Sequence, residues 1–125
     1  MGIINGLMGN ATDADIQSVE KELEAIVFEG EKIEKAYKLV RDLIVFTSKR
    51  LILIDKQGLT GKKVEYHSVP YKSISHFSIE TAGHFDLDAE LKIWISHGSE
   101  PTISKQFRKD KSIYDVQRAL ASYVS

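Results

Sequence analysis

Two apolar runs at the centre of the chain set the pattern of its hydrophobic and polar positions. Residues 43–46 read LIVF and residues 51–54 read LILI, and the polar residues 47–50 separate them. β-branched and aromatic residues make up three of the four positions of the first run and two of the four of the second. A four-residue connector is common in hairpins, so the pattern predicts two antiparallel strands. Successive side chains of a strand point to opposite faces, yet neither run alternates. The sequence therefore predicts a hairpin that is covered on both faces.

Covering the second face of this hairpin involves a large free energy. Leaving one large aliphatic side chain in water forfeits about 1.5–3 kcal/mol, so four of them would forfeit about 6–12 kcal/mol, which is comparable to the whole stability of a domain. The cover could be an N-terminal helix of the same chain or a neighbouring subunit, and the sequence leaves both open. The residues that a neighbouring subunit would contact are Ile44, Phe46, Ile52 and Ile54.

The hairpin is flanked by elements of alternating period. Residues 1–11 form a Gly-rich arm, residues 12–15 are typical of a helix start, and apolar residues then recur at three- and four-residue steps. They predict an amphipathic helix of about four turns that ends before Gly30. Residues 112–115 resemble a capping box that opens a C-terminal helix. Period-two alternation predicts further strands at about residues 33–39, 64–69, 74–81, 91–96 and 103–107.

Composition narrows the functional classes. The chain has 125 residues, enough for one domain with its own core, and its formal net charge of −1 lacks the basic footprint of a nucleic-acid-binding protein. It contains no cysteine, which removes disulfides and thiolate chemistry and is typical of a reducing cytoplasm. No apolar run approaches the length that a membrane span needs. We therefore expect a cytoplasmic protein that binds no nucleic acid.

The chain carries no recognisable catalytic or metal-binding motif. Its serines lie in no nucleophile-elbow context, and the two glycines of residues 58–61 lack the strand-to-helix setting of a phosphate loop. The four histidines, His67, His76, His84 and His97, show no paired ligand spacing. We expect no catalytic residue, no metal site and no cofactor.

Three segments resemble the bacterial pleckstrin-homology-like family. They are residues 43–58 (LIVFTSKRLILIDKQG), residues 69–74 (VPYKSI) and residues 77–94 (FSIETAGHFDLDAELKIW). The resemblance covers residues 12–125 and implies one mainly β domain of the α+β class. Its fold would be a seven-stranded, partly open antiparallel barrel of two orthogonal sheets, with a C-terminal capping helix and an N-terminal helix. The resemblance also implies a cyclic homo-oligomer, with a pentamer as the leading expectation, and no enzymatic activity.

These expectations lead to two functional hypotheses. In the first, a ring of identical subunits, joined in part through sheet edges that need partners, binds an unknown protein or peptide. The candidate interaction surface comprises Lys49, Arg50, Glu80, Thr81, His84 and Asp86. In the alternative, the protein binds anionic lipid head groups at a membrane, using the basic spacing of Lys32, Lys35, Lys38 and Arg41. The short connection at residues 40–42 argues against the alternative, because phosphoinositide-binding relatives carry a long basic loop there.

Overall fold

Seven strands follow one helix and precede another in the part of the chain that the computed structural model describes, residues 16–39, 42–57, 63–81, 88–96, 99–108 and 112–125. The predicted arm, residues 1–11, lies outside these ranges, as do residues 12–15. A 3-10 turn spans Tyr71–Ser73. The helices and strands are α1 (Ile16–Leu23), β1 (Ile33–Lys38), β2 (Leu43–Thr47), β3 (Arg50–Gln57), β4 (Lys63–Pro70), β5 (Ile74–Thr81), β6 (Asp88–Ile95), β7 (Ile103–Arg108) and α2 (Ser112–Val124).

The strands form two antiparallel sheets. The first has the order β1-β2-β3-β4 and the second the order β5-β6-β7, so each strand lies beside its neighbour in sequence. The chain divides into two compact units, Met1–Val69 and Pro70–Ser125. Among the described residues, the first unit has the four-stranded sheet and α1, and the second has the three-stranded sheet and α2. All seven predicted strands are present, and the predicted order of helix, strands and helix is confirmed.

The hairpin of β2 and β3 is buried on both faces, as its sequence predicts. Val45 pairs with Ile52 on one face, and Phe46 pairs with Leu51 on the other. These four side chains are completely buried, and the rest of both apolar runs is buried except for the half-buried Leu43. The chain therefore removes both faces of this ribbon from water by itself.

The helix of the same chain covers one of these faces. Val19 and Leu23 of α1 belong to a buried cluster with Val45, Ile52 and Ile54 of the hairpin, and β1 contributes two further members, Ile33 and Ala36. Phe46 points to the opposite face, where the ring of Tyr37 meets its ring edge-on at a centroid distance of 6.0 Å. Of the two covers that the sequence left open, the N-terminal helix is the one that lies on the Val45 face.

The first helix ends earlier than its sequence pattern predicts. Apolar periodicity continues to Val27, but α1 ends at Leu23, and the carbonyl of Leu23 then accepts hydrogen bonds from the N–H groups of both Ile26 and Val27. Hydrogen bonds from outside the helix explain the difference. The carbonyl of Ile26 accepts from Arg50, and the N–H of Phe28 is bound by Glu31, so neither group continues a helical ladder.

The second unit places a helix beside its sheet. Phe77 pairs with Ile93 on the apolar face of β5 and β6, and Ile93 in turn pairs with Ile103 of β7. α2 packs against β5 and against the 3-10 turn, where the ring of Tyr71 stacks on the ring of Tyr123 at 4.8 Å. The C-terminal helix predicted from the capping box is present, and Ile113, Val116 and Leu120 of α2 are completely buried.

Candidate functional site

Arg50 and Glu31 form a buried ion pair at one end of the first sheet. The guanidinium of Arg50 donates from Nε to Oε2 of Glu31 at 2.8 Å and from Nη2 to Oε1 at 2.9 Å, so the pair is bidentate. The side chain of Glu31 is completely buried and that of Arg50 is 22% exposed. A fork of two parallel charge-assisted hydrogen bonds fixes both side chains in one geometry.

Thr47 completes the environment of this carboxylate. Its hydroxyl donates to Oε2 of Glu31 at 2.6 Å and accepts from the N–H groups of Lys49 and Arg50 at 3.0 and 2.9 Å. A fourth donor, the N–H of Phe28, lies 3.3 Å from Oε1 of Glu31. The polar connector predicted at residues 47–50 is therefore only partly a solvated turn, because Thr47 is completely buried.

The remaining donors of Arg50 tie two more segments to this pair. Nη2 donates to the carbonyl of Ile26 at 2.7 Å, and Nη1 donates to Oγ of Ser68 at 2.8 Å. The guanidinium thus joins the segment after α1, the start of β3 and the end of β4. Arg50 belongs to the predicted interaction surface, but its hydrogen bonds are used inside the fold.

The electrostatics of the pair favour its charged form. Burial by itself raises the pKa of Glu31, but hydrogen bonds from Arg50, Thr47 and the Phe28 N–H together outweigh burial and leave that pKa below its ordinary value. The hydrogen bond to Glu31 likewise raises the pKa of Arg50, against the opposing effect of burial. A carboxylate held this firmly in its ionised form is a structural anchor and is poorly suited to accept a proton near neutral pH.

A second polar anchor holds α1 itself. Oε2 of Glu22 accepts from the hydroxyl of Tyr66 at 3.0 Å, and Oε1 of Glu22 accepts from Nζ of Lys56 at 3.5 Å. Burial raises the pKa of Tyr66, and the hydrogen bond to Glu22 raises it further. The helix is therefore held against β3 and β4 by an apolar centre and by this polar contact.

The other residues of the predicted interaction surface are divided between the two units. Lys49 is exposed in the turn between β2 and β3, whereas Glu80 and Thr81 are exposed at the end of β5. His84 and Asp86 lie outside the described residues. Glu80 accepts a hydrogen bond from Nζ of Lys92 at 3.0 Å, and this bond raises the pKa of Lys92.

The four residues predicted as an oligomer interface do not share one surface. The register of the hairpin puts Ile44 and Phe46 on one face of the ribbon and Ile52 and Ile54 on the other. All four are completely buried within a single chain. That a second copy contacts these four residues stays a prediction, and their burial within one chain is what the structure shows.

One aromatic contact of the second sheet was missed by sequence reasoning. The rings of His76 on β5 and Trp94 on β6 are stacked at a centroid distance of 4.3 Å, on the same face as Lys92. Nε1 of Trp94 lies 3.4 Å from the carbonyl of Ser99. In the sequence, both residues stand at polar positions of alternating strands. That alternation predicts their shared face but not the contact between their rings.

The first sheet ends in an exposed tip that sequence reasoning also missed. We define the α1–β1 tip as residues 26–32 with the adjoining turn residues Ser48 and Lys49. Phe28 is 53% exposed, the highest fraction among the large apolar side chains of the described residues. Lys32 and Lys49 are exposed as well, and Lys32 is tied to Ser48 by two hydrogen bonds of 3.0 and 2.8 Å. The available signal was an aromatic residue that directly follows the helical stripe.

The described residues contain no group of three or more histidine, cysteine, aspartate or glutamate side chains that could hold a metal ion. In the same part of the chain, neither helix combines the length and the apolar character that crossing a bilayer requires.

A family model described as bacterial PH domain, where PH stands for pleckstrin homology, matches residues 2–124. The chain belongs to the bacterial PH domain family. Membership confirms the resemblance seen in the sequence.

Two curated relatives of this bacterial PH domain come from Bacillus subtilis (strain 168). The uncharacterized protein YjqA is 66% identical over 122 residues, which cover 98% of each chain. The uncharacterized protein YozO is 39% identical over 124 residues, which cover 99% of this chain and 98% of YozO. Neither relative is described by an enzymatic activity.

Solved structures of bacterial PH domains show the same fold. A pleckstrin homology domain from Shewanella amazonensis SB2B is 54% identical, with a TM-score of 0.81 and 94% coverage of both chains. A DUF1696 family protein with a pleckstrin-homology domain from Shewanella loihica PV-4 is 50% identical, with a TM-score of 0.74 and coverage of 89% of this chain and 94% of that one. The predicted fold class, mainly β with a PH-like architecture and two helices, is confirmed.

Proposed function

We propose that this bacterial PH domain protein is a cytoplasmic assembly module, a cyclic homo-oligomer that binds a protein or peptide through exposed strand edges and has no enzymatic activity. The observation that carries the proposal is the outer edge of the first sheet. β4 is the last strand in the order β1-β2-β3-β4, so one side of its backbone faces away from the sheet. Such an edge presents N–H and C=O groups that another strand can bind.

The edge strand is long and well exposed. β4 spans eight residues, and Lys63, Glu65, Tyr66, Ser68 and Pro70 along it are exposed. Proteins commonly protect an edge with charges, a proline or a short length. β4 carries two exposed charges, Lys63 and Glu65, but it is not short and its proline stands at the last position. An edge of this kind supports the addition of a strand from a second copy or from a bound peptide.

Strand addition between unlike edges is a head-to-tail contact, which closes into a ring when the rotation per subunit allows it. A pentamer remains the leading expectation for this ring. Burial of both faces of the β2–β3 hairpin within one chain supports a subunit contact at the strand edge. Each subunit would then repeat the exposed residues Lys49, Glu80 and Thr81, and repetition raises the avidity for a partner without requiring a deep pocket.

Light scattering of the purified protein at micromolar concentration tests the assembly. We expect a mass several times the 14.1 kDa of one chain. Glu65→Pro and Tyr66→Pro form a pair, because the N–H groups of neighbouring residues in a strand point alternately toward the adjacent strand and away from it. Tyr66→Ala is the control for the contact with Glu22 that Tyr66→Pro also removes. We expect one variant to lose stability and the other to remain folded by circular dichroism but to dissociate. A monomeric wild-type protein would remove the proposal.

Peripheral binding to anionic lipid is a second candidate function, and the exposed lysines Lys32 and Lys49 beside Phe28 favour it. The basic spacing along β1 supports it less than the sequence implies. Lys35 pairs with Phe46 and Lys38 pairs with Leu43, residues on opposite faces of β2, so these two lysines do not form one patch. Arg41 lies outside the described residues.

A further inference from the structure

We propose that the α1–β1 tip is a membrane contact, in which Phe28 enters the interface of an anionic bilayer while Lys32 and Lys49 bind lipid phosphates. The inference rests on the lipid-binding candidate function and specifies its site. The site lies on the turns that precede β1 and join β2 to β3. It does not use the connection between β1 and β2.

Phe28 is held in its exposed position by hydrogen bonds on both sides of its backbone. Its N–H donates to Oε1 of Glu31 at 3.3 Å, and its carbonyl accepts from the N–H of Glu31 at 2.9 Å. Two residues earlier, the carbonyl of Ile26 is bound by Arg50 at 2.7 Å. Gly30 permits the turn, since its φ of 97° lies in the left-handed region. Because these bonds already order the backbone of the turn, the backbone loses little further conformational entropy when the tip binds a surface.

The charges of the tip favour a negative surface. The buried pair of Glu31 and Arg50 is internally compensated and presents little field to the outside. The exposed charges that remain on the tip are Lys32, Lys49 and Glu29, which leaves one net positive charge. Neighbouring Ile26 and Val27 are only partly buried and extend the apolar character of the tip behind Phe28.

A lipid surface matches this combination of groups. An anionic bilayer presents negatively charged phosphates directly above an apolar layer, and an aromatic side chain flanked by lysines can bind both at once. A lysine near such a surface strengthens binding by about fivefold, and burying the exposed half of a phenylalanine contributes a similar factor. The tip of one chain therefore binds weakly by itself, and salt weakens it further.

Co-sedimentation with vesicles of mixed phosphatidylglycerol and phosphatidylcholine measures this contact. We expect the wild-type protein to pellet at low salt and to be released at high salt, with pure phosphatidylcholine vesicles binding much less. Phe28→Ser should weaken binding about fivefold, and Lys32→Gln with Lys49→Gln should weaken it roughly twenty-fivefold. Circular dichroism checks that each variant is folded.

Matched controls come from the second unit. Tyr114→Ser removes another exposed aromatic side chain, 48% exposed on α2, and Lys72→Gln removes an exposed lysine from the 3-10 turn. Both should bind within about twofold of wild type, because each lies outside the tip. Equal losses in the tip variants and the controls would overturn the proposed site while leaving lipid binding intact. Absence of wild-type binding to the anionic vesicles would overturn both.

Insertion of residue 28 has its own readout, because Trp94 is the one tryptophan of the chain. Phe28→Trp in a Trp94→Phe background carries a single fluorophore at the tip. Lipids brominated on their acyl chains should quench this fluorophore. Absence of quenching at the tip would overturn the insertion of residue 28.

Discussion

Replacing Arg50 with methionine should destabilise the protein far more than replacing a lysine in a surface ion pair. The substitution leaves the carboxylate of Glu31 buried, with Thr47 and the Phe28 N–H as its remaining donors. Removing one member of a buried ion pair costs about 3–5 kcal/mol. Because the Arg50 side chain is 22% exposed, we expect the lower end, about 3 kcal/mol. Loss of the hydrogen bonds to Ile26 and Ser68 is included in this value.

Urea denaturation followed by circular dichroism measures the effect. A loss of about 3 kcal/mol should lower the midpoint by roughly 1–3 M, given the usual urea dependence of small domains. The matched control is Lys92→Met, because the pair of Lys92 and Glu80 has a similar N–O distance of 3.0 Å but side chains that are 30% and 66% exposed. Solvent screens such an exposed pair, so Lys92→Met should shift the midpoint little.

The double variant with Glu31→Leu and Arg50→Met separates the buried charge from the lost contacts. Because no carboxylate is left unpaired, the double variant should be more stable than Arg50→Met alone. If Arg50→Met costs no more than Lys92→Met, or if Glu31→Leu fails to recover any stability, the anchoring role of this pair is refuted.

The same pair predicts a dependence of stability on pH. The pKa of Glu31 in the folded protein lies below its ordinary value of 4.5. Its contribution is therefore present above the ordinary pKa and is lost as the pH falls through the lowered folded value. Glu31→Gln should lack this acid-dependent component, which denaturation curves recorded at neutral and acidic pH would show.

Other predictions concern the hairpin and the turn that precedes β1. Phe46→Asp should prevent folding, because it places an unpaired charge at a completely buried position. Lys56→Asp removes the ion pair with Glu22 and should lower the free energy of unfolding by at most about 1 kcal/mol. Equal melting curves of the two variants, followed by circular dichroism, would contradict this. Gly30→Ala should lower the free energy of unfolding by roughly 1–2 kcal/mol in urea denaturation, because the φ of 97° at this position strains an alanine. The cost is purely conformational, since an added Cβ meets nothing within 4 Å. The control Glu29→Ala should be nearly neutral, and a neutral Gly30→Ala would show that the turn relaxes.

Periodicity predicted the elements well because it records which side of each strand or helix is apolar. The hairpin illustrates how far this reaches. Two apolar runs without alternation correctly predicted a hairpin buried on both faces. The residues of these runs do not indicate which element packs on each face. The cluster of α1 with Val45, Ile52 and Ile54 depends on how a helix returns onto the sheet, which is a long-range property.

The ion pair could not be predicted for a similar reason. Glu31 and Arg50 are 19 positions apart, and each is followed by an ordinary strand pattern. In the sequence, Glu31 counts as one acid among several lysines and Arg50 as part of a polar turn. Their pairing also explains why α1 ends at Leu23 before its apolar stripe does, since hydrogen-bond partners distant in sequence hold the segment that follows.

Burial on both faces of β2 and β3 has a consequence for how this family can vary. Most strands keep a wet side on which polar replacements accumulate harmlessly, so tolerated and forbidden positions alternate along them. The hairpin segments 43–46 and 51–54 lack such a side, and for this reason neither contains a polar residue. Sequence drift among relatives should therefore be confined to substitutions of similar volume throughout the ribbon.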